Sequence, residues 1–226
     1  MMFTLSKQFE EAFTQAAKVL DNIKANTNKD SDSYILLSDI SAAIRQMRGI
    51  DVISVSTGNL KEMMSKPLKK FITKNGDCSF VKAATTIIAY KESDPSHPQH
   101  VNICVNNQMP TIMQRFAFAH EVGHLLLSDL SKGYFAGSKD KAIISAYVDP
   151  DITAVQERIE KDYTEKEYEY MLAEQACNIF ALLTLIPKDL HLSDLEGGMV
   201  TALADKYGVT ETAVYARMFL SSVKLA

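Results

Sequence analysis

The chain has 226 residues, of which 24 are Lys or Arg and 28 are Asp or Glu, so its formal net charge is −4. Its 46% hydrophobic and 23% charged content is typical of a globular protein and argues against a disordered, collagen-like or coiled-coil chain. The length predicts one compact domain, with or without an appendage. No apolar run approaches about 18 residues, so we expect no membrane-spanning segment.

The cysteines are few and are not arranged in a recognisable pattern. Cys78, Cys104 and Cys177 are an odd number without CxxC spacing, which favours neither a disulfide framework nor a cysteine zinc knuckle. At the N-terminus, Glu10 and Glu11 interrupt the chain before an apolar segment of signal-peptide length. Together these observations predict a reducing cytoplasm as the location.

The first half of the chain predicts helices followed by a sheet. Apolar residues at helical spacing predict an amphipathic helix over 6–24, and Ser38-Asp39 predicts the cap of a second helix ending near Arg48. A strand is expected over 50–55 and a short helix over 60–64. Asn75-Gly76, between β-favouring runs at 71–73 and 79–90, predicts a hairpin. With a third alternating run at 101–105, the pattern indicates a small antiparallel sheet.

The second half is predominantly helical. Pro110 suits a first helical position, and residues 111–128 are apolar on nearly every face, which predicts a buried helix. Residues 131–150 are predicted to form a long loop or short irregular elements. A second long helix is expected over 163–186, stopped by Pro187, and two short helices over 198–225 with Gly208 at their turn. The fold class expected is therefore α+β.

The motif that carries chemistry is His120-Glu121-Val122-Gly123-His124, an HExxH on the predicted buried helix. Histidines at i and i+4 lie roughly 40° apart around a helix and one turn apart along it, so both imidazoles can bind one ion. Glu121 would act as a general base that takes a proton from a metal-activated water and returns it to the leaving amine. Polar groups in an apolar helix are costly unless they are paired or bound to metal.

A catalytic zinc needs a third protein ligand and one open position. Glu174, where the second long helix becomes apolar, would complete a His₂Glu site; His191 and an acidic residue within 149–169 are the alternatives. The metzincin arrangement is absent because residue 130 is Leu. His97 and His100 are expected to be solvated loop histidines. Zn²⁺ is the expected metal, with Mn²⁺ or another divalent ion as the alternative.

Two segments of this half resemble the ImmA/IrrE metallopeptidase family. The run 114–127, QRFAFAHEVGHLLL, is similar to that family's RFTLAHELGHLLLH segment, and 174–181, EQACNIFA, with Leu185-Ile186-Pro187, is similar to its E-x-x-A-N-x-F-A…L-L-M-P segment. The resemblance covers roughly residues 100–190. It implies a zincin-like metallopeptidase core in which His120, His124 and Glu174 bind the metal and Glu121 is the general base.

The resemblance leaves several residues to be interpreted. The chain departs from the family pattern at Ala117, Ser128 and Cys177, where the family often has Thr, His and Ala, and none of these removes a required ligand. Asn178 lies four residues after Glu174. It is expected either to form a hydrogen bond that orients a metal ligand or to have a plain helix-packing role. The candidates for stabilising the oxyanion of the reaction intermediate are Tyr134, Tyr147 and Tyr170.

The C-terminal residues predict a separate helical unit. We divide the chain into a zincin-like domain over 1–190 and a helix-turn-helix-like unit over 191–226. Residues 199–226 contain Lys206, Arg217 and Lys224 against Asp205 and Glu211, which is a poor footprint for phosphate groups. A packing or substrate-docking role is therefore favoured over DNA binding. The basic run of Lys66, Lys69, Lys70 and Lys74 is interpreted as a solvated face.

Three functional hypotheses follow. The leading one is a metal-dependent endopeptidase that cleaves a specific protein; the family resemblance implies a helix-turn-helix repressor of a mobile element or stress regulon as substrate. The second is a non-catalytic regulatory or toxin–antitoxin partner, and the third is a DNA-binding regulator. The leading hypothesis expects a protein partner, without direct nucleic-acid or membrane contact.

Overall fold

The computed structural model describes residues 7–30, 32–57, 87–93, 100–107, 110–127, 143–146, 165–190 and 198–222. Within these residues, helices surround a four-stranded sheet, in agreement with the expected mixture of helices and strands. In chain order the elements are α1 (Lys7–Thr27), α2 (Leu37–Arg48), β1 (Asp51–Thr57), β2 (Ile87–Ser93), β3 (His100–Asn106), α3 (Thr111–Leu126), β4 (Ile143–Ala146), α4 (Glu165–Leu185), α5 (Met199–Tyr207) and α6 (Glu211–Ser222).

Helix α2 begins two to three residues earlier than predicted. Leu36, not Ser38 or Asp39, precedes its first helical residue. Asp39 is the third residue of the helix, and its carboxylate accepts a hydrogen bond from the Leu36 N–H at 2.8 Å. The acidic residue therefore satisfies a backbone donor from inside the first turn. At the other end Gly49 adopts a left-handed conformation (φ 65°), which an L side chain disfavours, and ends the helix.

The sheet is mixed, so the prediction of an antiparallel sheet is wrong for one pairing. The strand order is β1-β3-β2-β4. β2 runs antiparallel to β3 and β4, whereas β1 runs parallel to β3, with Val52 opposite Val101. Alternating hydrophobicity predicts that a strand exists, but parallel strands are joined by long crossovers, so their pairing is not encoded locally.

Two further expectations about this region are corrected. β4 lies within residues 131–150, where a loop or short irregular elements were predicted instead of a strand of the sheet; four residues are too few to produce a recognisable alternation. His100, predicted to lie in a loop, is the first residue of β3. The predicted helix over 60–64, the Asn75-Gly76 hairpin and the basic run at 66–74 lie outside the described residues.

Helix α3 contacts both the sheet and α4. It packs against β2 and β3 and against α4, and α1 also packs on α4. Val101, Ile103 and Val105 of β3 are buried, as alternate residues of a strand facing a core should be. Pro110 precedes the helix rather than occupying its first position. Four charged or titratable side chains of α3 are buried in this packing: Arg115, His120, Glu121 and His124.

Gly123 allows α3 and α4 to approach closely. A Cβ atom at this position would lie 3.1 Å from the Cys177 Cα and 3.3 Å from the Phe180 Cδ1. Such contacts are tighter than nine in ten real Cβ contacts, so a side chain here would require the neighbouring atoms to move by a few tenths of an ångström. The glycine of the HExxH segment therefore favours the close packing of this helix pair.

The C-terminal helices α5 and α6 are attached to the rest of the molecule by two buried arginines. Arg115 of α3 donates hydrogen bonds to the carbonyl oxygens of Ile35 (2.8 Å), Tyr207 (3.4 Å) and Gly208 (3.3 Å), and its guanidinium lies 3.9 Å from the Tyr34 ring centroid. Gly208 is left-handed (φ 58°) and lies beneath that ring.

The second of these arginines is on α6. Arg217 donates to the Ile186 carbonyl at 3.0 Å and to the Asp189 carboxylate at 2.6 Å, so it joins α6 to the end of α4. Only 3% of Arg217 is exposed. The predicted boundary at residue 190 stays a prediction.

None of the helices in the described part of the chain has the length and apolar character that crossing a membrane requires.

Candidate metal centre

The structure brings the three predicted metal ligands together where α3 crosses α4. The Nε2 atoms of His120 and His124 lie 3.0 Å apart. The two Glu174 carboxylate oxygens each lie 3.2 Å from one of them, Oε2 from His120 and Oε1 from His124. All three side chains are buried. The one-turn spacing on α3 and the position of Glu174 on α4 therefore converge on one point.

Asn178 holds one of these rings in orientation. Its Oδ1 lies 2.8 Å from His120 Nδ1, and both residues are buried. An amide oxygen can only accept, so the proton must be on Nδ1 and is donated to Asn178. In the neutral imidazole the lone pair then lies on Nε2, which points at the cluster. The hydrogen bond predicted between Asn178 and a metal ligand is therefore formed with His120 on the neighbouring helix.

The charges in the cluster are strongly coupled. Burial by itself raises the pKa of Glu174, but the charge of His124 and the hydrogen bond with His120 outweigh burial and lower that pKa to about 2. Burial by itself lowers the pKa of His120, but the hydrogen bond and charge of Glu174, with smaller effects of Glu121 and Asn178, raise it above its ordinary value. The charged forms of His120 and Glu174 thus stabilise each other in the metal-free protein.

The geometry of the three side chains fits a small divalent cation. Two ligand atoms at about 2.05 Å from a tetrahedral zinc are about 3.3 Å apart. The observed separations of 3.0, 3.2 and 3.2 Å are close to that value. Glu174 Oε1 is buried and forms no hydrogen bond in the described structure, although His124 Nε2 is 3.2 Å away. Two imidazoles and one carboxylate are a zinc-binding set, and here they share one location.

Cys177 is the residue at this centre that the sequence reasoning missed. Ligand atoms of His120, His124 and Cys177 all lie within 4.8 Å of one another, and Cys177 is 1% exposed. The sequence presented it only as a departure from a family pattern. Its spacing from Glu174 is the signal that was available, because residues at i and i+3 share a helix face.

Glu121, the predicted general base, is fully buried on α3 next to the first ligand. Its negative charge contributes to the raised pKa of His120, so it lies within electrostatic reach of the cluster. Its catalytic role stays a prediction.

Several other candidates cannot be placed in the centre. His97, His191, Tyr134 and Tyr147 lie outside the described residues, as do residues 149–164. Tyr170 lies in α4 and His100 in β3, but their side chains are not among those described.

Comparison with known proteins gives no family assignment. No protein-family model and no curated protein matches the chain. Among solved structures, a Mycobacterium tuberculosis transcriptional regulator is similar at 12% sequence identity, with a TM-score of 0.42 over 93% of this chain. This chain spans half the length of that protein. A likeness at this level identifies neither a shared fold nor a shared function.

Proposed function

We propose that the chain is a metal-dependent endopeptidase with a zincin-like core of the ImmA/IrrE type. The observation that carries the proposal is the convergence of His120, His124 and Glu174, with contacts of 3.0–3.2 Å between their ligand atoms. Glu121 adds a carboxylate next to this cluster on the same helix. These four residues would hold a zinc ion and provide the base that peptide hydrolysis requires.

The chain's own residues have distinct tasks in this reaction. A bound zinc would polarise the scissile carbonyl and acidify a water molecule. Glu121 then accepts the proton of that water and passes it to the departing amine nitrogen. Asn178 fixes the tautomer and plane of His120 through the 2.8 Å contact with Nδ1. The apolar packing of α3 against α4 excludes bulk water, which strengthens each of these electrostatic interactions.

The proposed substrate is a specific protein, and a helix-turn-helix repressor is the class that the sequence resemblance suggests. Direct action on DNA is less well supported. Of the basic residues in the C-terminal unit, Arg217 is 3% exposed and is hydrogen-bonded to Ile186 and Asp189, so it is not available to a phosphate group. The charge that remains is a weak electrostatic footprint for nucleic acid.

The test compares native protein with Glu121→Gln, which keeps the size of the side chain and removes the base. Both proteins are expressed in the same cells, and new protein N-termini are identified by labelling and mass spectrometry. We expect new N-termini that appear only with the native protein, and cleavage of the purified substrate that chelator abolishes. New N-termini that persist with Glu121→Gln would contradict the proposed mechanism.

The same experiment addresses a non-catalytic binding partner. Such a protein would retain its cellular effect in Glu121→Gln and would produce no new N-termini. A DNA-binding regulator would instead shift a DNA probe at physiological salt, in the presence of chelator.

A further inference from the structure

We propose that the thiol of Cys177 is a fourth protein ligand of this metal centre and closes it in the resting protein. This inference rests on the proposed function, because it concerns regulation of the same site. Its basis is a cluster of donors: ligand atoms of Cys177, His120 and His124 lie within 4.8 Å of one another, and Glu174 oxygens lie 3.2 Å from the two histidines.

The distance that the sulfur must cover is small. On tetrahedral zinc, a sulfur at about 2.3 Å and a nitrogen at about 2.05 Å from the metal are about 3.6 Å apart. The Cys177 sulfur lies at most 4.8 Å from one nitrogen of each histidine, so an approach of about 1.2 Å or less brings it to coordination spacing from these two ligands. A change of side-chain rotamer moves a cysteine sulfur by more than this distance.

The backbone around Cys177 is held in the position that this contact needs. Gly123, between the two histidines, lies against the Cα and Cβ of Cys177, where an added Cβ would be 3.1 and 3.3 Å away. Cys177 also follows Glu174 by three residues and directly precedes Asn178. Glu174, Cys177 and Asn178 therefore all face α3 from one turn of α4. The backbone that carries the thiol is therefore held beside the ligands by the close approach of the two helices at Gly123.

The number of protein ligands on the metal determines whether the site can catalyse hydrolysis. Catalytic zinc sites have three protein ligands and one open position, whereas structural sites have four protein ligands. When the metal–sulfur bond forms, the thiol proton passes to solvent, and no position is left for water or for a peptide carbonyl. Turnover then requires that the sulfur be displaced. Cys177 thus sets how much of the metal-loaded protein is active at a given moment.

The test uses Co²⁺ as a spectroscopic substitute for zinc in the full chain. The variants are Cys177→Ala, which removes only the sulfur, and Cys78→Ser with Cys104→Ser, which leaves Cys177 as the single cysteine. We expect a sulfur-to-cobalt charge-transfer band in the native protein and in the double variant, and none in Cys177→Ala. Cys177→Ala should also bind metal at least about tenfold more weakly, because loss of a ligand costs no less than loss of a group that orients one. Its peptide hydrolysis at saturating metal should be faster than that of the native protein.

The outcomes separate this inference from the proposed function. Cobalt d–d bands without a charge-transfer band in the native protein would overturn the role of Cys177 and leave the peptidase proposal intact. Equal metal affinity and equal hydrolysis in Cys177→Ala would do the same. Failure of the native protein to bind cobalt at all would overturn both. If Cys177→Ala does not fold, Cys177→Ser provides the same comparison, since an alcohol oxygen gives no such band.

Discussion

Replacing Asn178 by Ala should weaken metal binding without removing any ligand. The change deletes the Oδ1 acceptor that lies 2.8 Å from His120 Nδ1. Both residues are buried, at 5% and 2% exposure, so water does not readily replace the lost partner. A buried donor left without a partner costs about 1–3 kcal/mol, and removal of such orienting groups typically weakens metal binding about 10–100-fold.

These two magnitudes agree with each other, because tenfold in affinity corresponds to about 1.4 kcal/mol. The affinity should be measured by competition with a chromophoric zinc chelator at fixed pH. Asn178→Asp is the matched control: it keeps an oxygen acceptor at the same position and should retain most of the affinity. A zinc affinity of folded Asn178→Ala within about twofold of the native value would refute the argument that Asn178 orients His120.

Other consequences of the structure can be checked with similar measurements. Glu174→Ala should weaken zinc binding by at least about tenfold in competition with a chelator, because it removes one of the proposed ligands; an unchanged affinity would show that Glu174 is not a ligand. Gly123→Ala should lower both thermal stability and zinc affinity, because its Cβ would meet the α4 backbone at 3.1 Å; unchanged values would show that the helices separate easily. Arg115→Met should destabilise the protein by about 2–4 kcal/mol in chemical denaturation, since three carbonyl oxygens lose their donor. In metal-free protein, the contribution of Glu174 to the free energy of unfolding is lost as pH falls below about 4.5 towards 2, and that of His120 is lost as pH rises above about 6.5. The free energy of unfolding, measured by denaturation at a series of pH values, should therefore be greatest between pH 4.5 and 6.5. A steady rise of stability through neutral pH would contradict this coupling.

The sequence predicted the helices that build the site because their signals are local. The apolar runs around His120 and Glu174 identify α3 and α4 to within a few residues of their observed ends. The same is true of α1, which extends to Thr27 rather than 24. The backbone hydrogen bonds of a helix form between residues four positions apart, so a helix can be predicted without knowing which distant segment it packs against.

The features that sequence reasoning missed depend on contacts between distant segments. The parallel pairing of β1 with β3 joins residues about 50 positions apart, and nothing in either strand specifies its direction. Cys177 gains significance only because Gly123 allows α4 to lie against α3. Arg115 looks like an ordinary helical arginine until the carbonyls of Ile35 and Gly208 are brought to it.

The position of Arg115 also limits how this protein can be dissected. Arg115 and the two histidines are on one continuous helix, with four residues between Arg115 and His120. Removing residues 198–222 would take away the Tyr207 and Gly208 acceptors and the segment that packs on Arg115, and would leave the Ile35 carbonyl as its one hydrogen-bond acceptor among the described residues. The loss of these contacts would fall on the helix that carries the metal ligands. Truncation would therefore not separate the role of the C-terminal helices from damage to the metal centre. Point substitutions on the exposed surface of these helices would test their role without that damage.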